Sequence, residues 1–169
     1  GSAVLDGKNL SHAFHVLEGA KGTTFKDIKF INGYAITGSA IHIGAKNVVV
    51  ENCVFEKNKC NRSGAIYTAY DLETAENLLV KNCRFVENSG YRDQDKECSG
   101  AALSVYSKNS VVTDCIFESN YVRSDVACYG GAIQVGLDKI GSNALVSNCI
   151  FKNNRAISST DCSHGGAGC

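Results

Sequence analysis

Hydrophobic and polar positions alternate with a period of two in short stretches that recur along this chain. Four segments share one pattern, in which Asn precedes a Val-containing stretch, a Cys lies two residues before a Phe, and another Asn lies three residues after it. These segments start at Asn47, Asn77, Asn109 and Asn143. A degenerate copy starts at Gly22, with Phe30 at the Phe position. Alternation with period two predicts β-strands rather than helices.

A second motif lies between these segments and places small residues before another alternating stretch. Its copies start at Gly38, Ser63, Gly100, Gly130 and, truncated, Gly165. From Phe to Phe the repeats are 25, 30, 32 and 34 residues long, and insertions account for the differences. A fixed motif order with variable insertions is typical of a repeat protein.

The repeat predicts an all-β fold, a parallel β-helix of about five coils that start near residues 22, 47, 77, 109 and 143. We expect three short strands in each coil, separated by Asn or Gly corners, because both residues tolerate left-handed backbone. Like residues would stack on the inside, Phe on Phe and Val on Val, and corner Asn side chains would bond from coil to coil. The alternative, a β-sandwich, would have hairpin turns rather than one fixed motif spacing.

Four of the nine Cys residues share the inward parity of the Phe two positions later. They are Cys53, Cys83, Cys115 and Cys149. We expect them to stack about 4.8 Å apart and to fill the core as small hydrophobic residues. A column of metal ligands is the alternative, although stacking in register does not produce a tetrahedron.

A second set of Cys residues falls in the insertions, each shortly before the Ala of the second motif. They are Cys60, Cys98, Cys128 and Cys162. Being in loops, they are predicted to form disulfides between neighbouring coils, Cys60 with Cys98 and Cys128 with Cys162. The pairing of Cys98 with Cys128 is an open alternative. Such bridges would imply an oxidising, extracellular setting, and Cys169 would be left over.

Composition narrows the function classes without identifying one. The chain has 169 residues, 44% of them hydrophobic, and a net charge of zero. That balance argues against a nucleic-acid binder, and no apolar run approaches the roughly 18 residues of a membrane span. We expect one domain over residues 3–169, cut from a longer protein because Met is absent, and preceded by a tag remnant at residues 1–2.

Charged residues and tyrosines gather in three insertions at corresponding positions of successive coils. The candidate ligand-binding residues are Tyr91, Arg92, Asp93, Asp95, Tyr121, Arg123, Asp125, Arg155 and Asp161. One interpretation is a solvated, charge-paired ledge of loops, and the other is a ledge that binds glycan or Ca²⁺. Catalytic carboxylates are the least favoured, because loop acids lack rigid placement. No catalytic residue, bound metal or cofactor is assigned.

A column of polar side chains is predicted on the outside of the coils. His15 and His42 occupy equivalent positions, and Tyr67, Ser104 and Gln134 continue the same column. We expect stacked surface polar residues here, with weak metal binding by the two His as the alternative. His164 beside Cys162 has residue types that bind zinc, without a second pair.

The motifs together carry a family resemblance. The segments LDGKNLSHAFHV and FKDIKFING, followed by repeated NxC.FxxN and by SGAI or GGAI, resemble adhesin-like surface proteins of methanogenic archaea. These are similar in turn to the chlamydial polymorphic membrane proteins. The resemblance spans Leu5 to Gly168, and the two regular Cys columns depart from it. It implies a right-handed β-helix of the pectin-lyase-like superfold, displayed on a cell envelope and used for attachment.

We therefore expect an extracellular, cell-surface adhesin-like segment that is monomeric and is not an enzyme. Its partner would be a glycan or protein of another cell, held by many weak contacts along stacked loop insertions. One alternative is a polysaccharide lyase or hydrolase of the pectin-lyase-like class. Another is a structural stalk that only spaces a distal domain from the envelope.

Overall fold

The chain winds into a parallel β-helix in the computed structural model, which describes residues 3–68, 75–92, 97–136, 143–159 and 162–166. Each strand pairs in parallel with the equivalent strand one coil further along. The strands line up as four sheets that run along the axis. The predicted parallel β-helix is confirmed.

Each sheet is named here by a residue type that its strands carry. The Val sheet contains Thr24–Lys26, Val49–Glu51, Leu79–Lys81, Val111–Thr113 and Leu145–Ser147. The Phe sheet contains Ala3–Asp6, Ile28–Ile31, Val54–Glu56, Arg84–Val86, Ile116–Glu118 and Ile150–Lys152. The Ile sheet contains Phe14–Val16, Ile41–Ile43, Ile66–Thr68, Leu103–Val105 and Ile133–Val135.

The fourth sheet, the Tyr sheet, was not expected from the sequence. It contains Tyr34–Thr37, Lys59–Ser63, Ser89–Arg92, Cys98–Ser99, Tyr121–Ser124, Ala127–Tyr129, Arg155–Ser158 and Cys162–His164. The expectation of three strands in each coil is therefore wrong. Segments assigned to loops pair with each other in register, so their backbone groups are satisfied as a ladder. One 3₁₀ helix, Glu18–Ala20, completes the elements of the described chain.

The core is a set of columns in which like residues stack. Each Phe lies beside the Phe of the next coil, with ring centroids 4.8–4.9 Å apart and ring planes within 9° of parallel. The column runs through Phe30, Phe55, Phe85, Phe117 and Phe151. Val50, Val80 and Val112 pair in the same way and are fully buried. Stacking of like on like follows from parallel, in-register pairing.

The corners of the coils are columns of left-handed backbone, with φ between 45° and 79°. Before the Val sheet they are Gly22, Asn47, Asn77, Asn109 and Asn143. Between the Val and Phe sheets they are Asp27, Asn52, Asn82, Asp114 and Asn148. After the Phe sheet they are Asn32, Lys57, Glu87, Ser119 and Asn153. Before the Ile sheet they are Gly38, Gly64, Gly100, Gly130 and Gly165.

Asn residues join neighbouring coils at two levels. On the exposed corners, Asn82 Nδ2 donates to Asn52 Oδ1 at 2.7 Å, and Asn77 Nδ2 donates to Asn47 Oδ1 at 2.9 Å. A second ladder is buried and is formed by the Asn three residues after each Phe. Its members are Asn58, Asn88, Asn120 and Asn154, joined by Nδ2–Oδ1 bonds of 2.9 Å. This buried ladder fixes the chain where it leaves the Phe sheet.

The structure places the first Cys column in the core. Cys53, Cys83 and Cys115 are buried, and Cys149 in the last coil is half-buried. Each thiol donates to the carbonyl oxygen two residues earlier, at 3.1–3.2 Å. Hydrogen bonding to Cys115 and Cys53, together with burial, raises the pKa of the Cys83 thiol. All four are small core residues, and hydrogen bonding with Cys83 lowers the pKa of the Cys53 and Cys115 thiols.

The second set of Cys residues lies in strands of the Tyr sheet and not in loops. Cys60, Cys98 and Cys128 are buried, and Cys98 and Cys128 form a small cluster with Ala101 and Val122. They are free thiols, so the predicted bridge between Cys60 and Cys98 is absent from this structure. In the ladder Cys98 pairs with Cys128, and Cys162 pairs with Ala127. The side chain of Cys162 and all of Cys169 lie outside the described part.

None of the helices found among the described residues has the length and apolar character needed to cross a membrane.

Candidate ligand-binding face

The outward side of the Tyr sheet gathers the exposed side chains of two axial rows. One row follows the ladder through Tyr34, Lys59, Ser89, Tyr121 and Arg155. The other contains Tyr91, Arg123 and Ile157, with Ile36 and Asn61 at the same alternation in earlier strands. We call the exposed members of both rows the outer Tyr face. They are Tyr34, Ile36, Lys59, Asn61, Tyr91, Tyr121, Arg123, Arg155 and Ile157.

Large hydrophobic side chains are exposed on this face along the length of the solenoid. Tyr34, Tyr91 and Tyr121 are 41%, 48% and 43% exposed. Apart from Ile36 and Ile157 of the same face, the other exposed large hydrophobic residues of the described chain lie near its two ends, at Val4, Leu10, Phe14, Leu17, Leu145, Val146 and Ile150. Outside the end regions, the outer Tyr face is therefore where the described chain presents aromatic surface to solvent.

Several charges on the Val and Phe sheets are paired, whereas the described charges of the outer Tyr face form no salt bridge. The Val and Phe sheets carry the pairs Lys26–Glu51, Lys29–Glu56, Lys81–Glu51 and Arg84–Glu118, with nitrogen–oxygen distances of 2.7–3.6 Å. The hydrogen bond from Arg84 lowers the pKa of Glu118. Among the described residues, no salt bridge involves Lys59, Arg123 or Arg155. The described charged side chains of this face are therefore three cations.

Contacts within the face hold its side chains in place. The Arg123 guanidinium carbon lies 5.9 Å from the centre of the Tyr91 ring, at the outer limit of a cation–π contact. Asn61 Nδ2 donates a hydrogen bond of 3.1 Å to the Tyr34 hydroxyl. Both contacts link neighbouring coils, so each side chain is oriented by the coil next to it.

A cleft of about 480 Å³ lies at the end of the face nearest the last coil. It is lined by Ser119, Tyr121, Asn153, Arg155 and Ile157. Ser119 and Asn153 are left-handed corner residues of successive coils, and Tyr121 and Arg155 are neighbours in the ladder. The cleft thus combines an aromatic ring, a guanidinium group, an aliphatic side chain and two neutral polar groups on rigid backbone.

The family model for a right-handed beta helix region matches residues 8–168 of the chain. The chain belongs to this right-handed β-helix family. Neither curated proteins nor solved structures give a significant match. The family accounts for the coil architecture and leaves the ligand unspecified.

The predicted ledge of loops becomes a sheet face in this right-handed β-helix. Tyr91, Tyr121, Arg123 and Arg155 lie in strands and share the outer Tyr face. Arg92 is half-buried and has the opposite alternation, in register with Ser124 and Ser158. Asp125 is exposed beyond the end of its strand, where the Ser159 hydroxyl donates to its backbone carbonyl at 2.9 Å. Asp93, Asp95 and Asp161 lie outside the described residues.

The sequence prediction missed Tyr34, Ile36, Lys59, Asn61 and Ile157 as members of the same face. A signal for them exists, because each lies one or three residues after the position that follows Phe by three. Tyr91, Tyr121, Arg123 and Arg155 obey the same rule. This alternation is short and is followed by insertions of unequal length, so it indicates a common side only once a strand is known to form there.

The predicted outward polar column is only partly on the surface of the β-helix. The rings of His15 and His42 stack with centroids 4.5 Å apart. Tyr67, Ser104 and Gln134 are buried, contrary to the expectation of a surface column. Tyr106 covers Tyr67 and Gln134, because its hydroxyl donates to Gln134 Oε1 at 3.1 Å and its ring centroid lies 5.7 Å from that of Tyr67.

Metal binding by the described residues of the β-helix would require several ligand side chains close together. No group of three or more His, Cys, Asp or Glu there could hold a metal ion. Asp93, Asp95 and Asp161 of the predicted ledge, and the side chain of His164, are outside that part of the chain. The candidate site is therefore the aromatic and cationic surface of the outer Tyr face.

Proposed function

We propose that this β-helix is an extracellular, cell-surface adhesin-like segment. It attaches to a glycan or protein on a partner cell through the outer Tyr face, as a monomer, and acts by binding without turnover. The observation that carries the proposal is the concentration of exposed Tyr rings and unpaired cations on one sheet face. Exposed aromatic side chains away from the ends of a fold typically mark an interaction surface.

The geometry of the face suits an extended partner. Neighbouring coils are about 4.8 Å apart, so a polymer lying along the axis meets a new pair of outward side chains at each coil. Many weak contacts repeated in this way sum to a useful affinity. Because the side chains stand on strands, little ordering is required when the partner binds.

The ion pairing and the position of the described Glu side chains favour a protein that binds a glycan without cleaving it. Cleavage of a glycosidic bond normally needs two carboxyl groups placed across the scissile bond. Glu51, Glu56 and Glu118 each contact a Lys or Arg, and they lie on the Val and Phe sheets rather than on the outer Tyr face. On the described residues, a polysaccharide hydrolase therefore ranks behind a binding segment.

The test combines a glycan array and partner-cell attachment with an assay for newly released sugar ends. The variant Tyr91→Ala/Tyr121→Ala should lose most of the binding, because it removes two exposed rings from the face. The matched control is Leu10→Ala/Leu17→Ala, which removes exposed apolar surface elsewhere and should bind as the parent does.

Three results would overturn the proposal. Release of sugar ends would indicate the enzyme alternative. Folded protein that binds no glycan, protein or cell would indicate a stalk. Equal loss in the Tyr variant and the Leu control would remove the outer Tyr face as the binding surface.

A further inference from the structure

We infer that the cleft lined by Tyr121 and Arg155 binds an acidic sugar unit, which makes the ligand of the outer Tyr face an acidic polysaccharide. This inference rests on the proposed function and specifies its ligand class.

The guanidinium group at the cleft favours an anionic ligand. Arg155 is exposed, and none of the other four lining residues is acidic. The salt bridges of the described chain leave Arg155 without a carboxylate partner. A guanidinium group matches a carboxylate in a planar, two-point contact that neutral sugars cannot provide. A carboxylated sugar would therefore gain a contact here that its neutral analogue lacks.

The rest of the cleft suits a pyranose ring. Tyr121 offers an aromatic surface that is 43% exposed, and Ile157 offers an aliphatic surface on the same side of the sheet. Ser119 and Asn153 add a hydroxyl and an amide for the hydroxyl groups of the sugar. A ring with one apolar face and polar edges meets complementary groups on each side.

Cations further along the face indicate a polymer rather than a single sugar. Arg123 lies in the next axial row, and Lys59 is three ladder steps from Arg155 in the same row. Three steps correspond to about 14 Å at the usual strand spacing. A chain with acidic groups at intervals can contact Arg155 and the other cations at the same time.

Other polyanions fit the observations less well. A nucleic acid gains most of its affinity from many Lys and Arg contacts with its phosphates, whereas the described cations of this face are Lys59, Arg123 and Arg155. An acidic protein strand would use the cations but would leave the polar corner groups Ser119 and Asn153 without hydroxyl partners. The acidic polysaccharide uses the cations, the ring and the corner groups together.

The experiment compares an oligogalacturonate with the same oligomer after its carboxyl groups have been reduced to alcohols. Binding of each is measured by calorimetry to the whole chain. The parent should prefer the acidic oligomer, and added salt should weaken that preference. Arg155→Gln should lose about tenfold in affinity for the acidic oligomer and little for the reduced one.

The matched control is Arg84→Gln, which makes the same change of charge on the Phe sheet and should leave binding unchanged. Arg155→Lys should recover part of the affinity, because it keeps the charge and loses the two-point contact. Circular dichroism of each variant shows that the fold is retained.

The remaining outcomes separate a failure of this inference from a failure of the proposed function. Equal binding of the acidic and reduced oligomers, lost in Tyr91→Ala/Tyr121→Ala, overturns this inference and leaves the proposed function standing. Equal affinity for polyglutamate or single-stranded DNA overturns the assignment to a polysaccharide in favour of a general polyanion surface. Absence of any binding by the folded parent overturns both.

Discussion

The side-chain amide of Asn88 donates a hydrogen bond of 2.9 Å to Oδ1 of Asn120 inside the solenoid. Asn88 also donates to the carbonyl oxygen of Phe55 and accepts from the backbone and the side chain of Asn58. One buried amide thus satisfies polar groups of both neighbouring coils. This relationship repeats at each level of the buried ladder and locks adjacent coils at the corner after the Phe sheet.

Asn88→Ala should reduce the free energy of unfolding by about 4 kcal/mol. The substitution leaves the Asn58 N–H and the Phe55 carbonyl buried without their partner, at about 1–3 kcal/mol for each group. Urea unfolding followed by circular dichroism measures the loss. The control is Asn82→Ala on the exposed corner ladder, with an expected loss of about 1–2 kcal/mol from its left-handed backbone. If the exposed variant lost as much as the buried one, burial would not be the source of the effect.

Gly90→Ala should destabilise the Tyr sheet by about 1–3 kcal/mol, as overpacking of a core does. A Cβ at Gly90 would lie 2.7 Å from Cys98 Sγ, 3.1 Å from Val122 Cγ1 and 3.2 Å from Cys60 Sγ. Cys98→Ala should restore much of the stability in the Gly90→Ala background, because it removes the closest atom. Thermal unfolding of the parent, the two single variants and the double variant gives a double-mutant cycle. Simple additivity of the two losses would show that the thiol is not the obstacle.

Thiol-specific alkylation of the native protein should leave the fully buried cysteines unmodified. They are Cys53, Cys60, Cys83, Cys98, Cys115 and Cys128. Half-buried Cys149 should react earlier and serves as the internal control. Mass spectrometry of unreduced protein, alkylated before and after denaturation, counts the thiols. A bridge between Cys60 and Cys98 in that mass map would contradict the free-thiol structure.

Stability should fall as the pH rises above about 8.5, the ordinary thiol value. Burial raises the pKa of Cys128 to about 11. The folded state therefore holds the Cys128 proton more tightly than the unfolded state does. The stabilisation that Cys128 contributes is lost progressively as the pH rises towards about 11. For Cys128→Ala, the free energy of unfolding should fall less steeply than for the parent between these two pH values. Urea unfolding at a series of pH values measures it. An unchanged slope would show that other groups cause the alkaline loss.

Much of the architecture could be predicted from the repeat, because parallel pairing in register puts equivalent residues on top of each other. Phe55 and Phe85 could be placed in one column from their spacing alone, and so could Asn58 and Asn88. The Tyr sheet could not be recognised, because insertions of unequal length interrupt the alternation after Asn58 and its equivalents. The burial of Gln134 also escaped prediction, since Tyr106, which covers it, belongs to the preceding coil.

The candidate site, too, could be predicted only in part from the sequence. Tyr91, Tyr121, Arg123 and Arg155 were recognised as a group from their corresponding positions, but as loop residues. Their common outward face depends on the strand ladder. The absence of an ion pair at Arg155 among the described residues depends on which side chains lie one coil away. Corresponding positions can be counted along a sequence, whereas charge pairing is a property of contacts between coils.

The sequence by itself determined the stacked coils, the left-handed corners and the inward columns of Phe, Val and Cys. These follow from local alternation and from a spacing that recurs. Only the tertiary structure decided that the insertions close a fourth sheet, that their cysteines are buried thiols, and that aromatic and cationic side chains share one exposed face. The physical reason is that insertions of different length carry no period of their own. Their conformation is set by hydrogen bonding to the coils above and below.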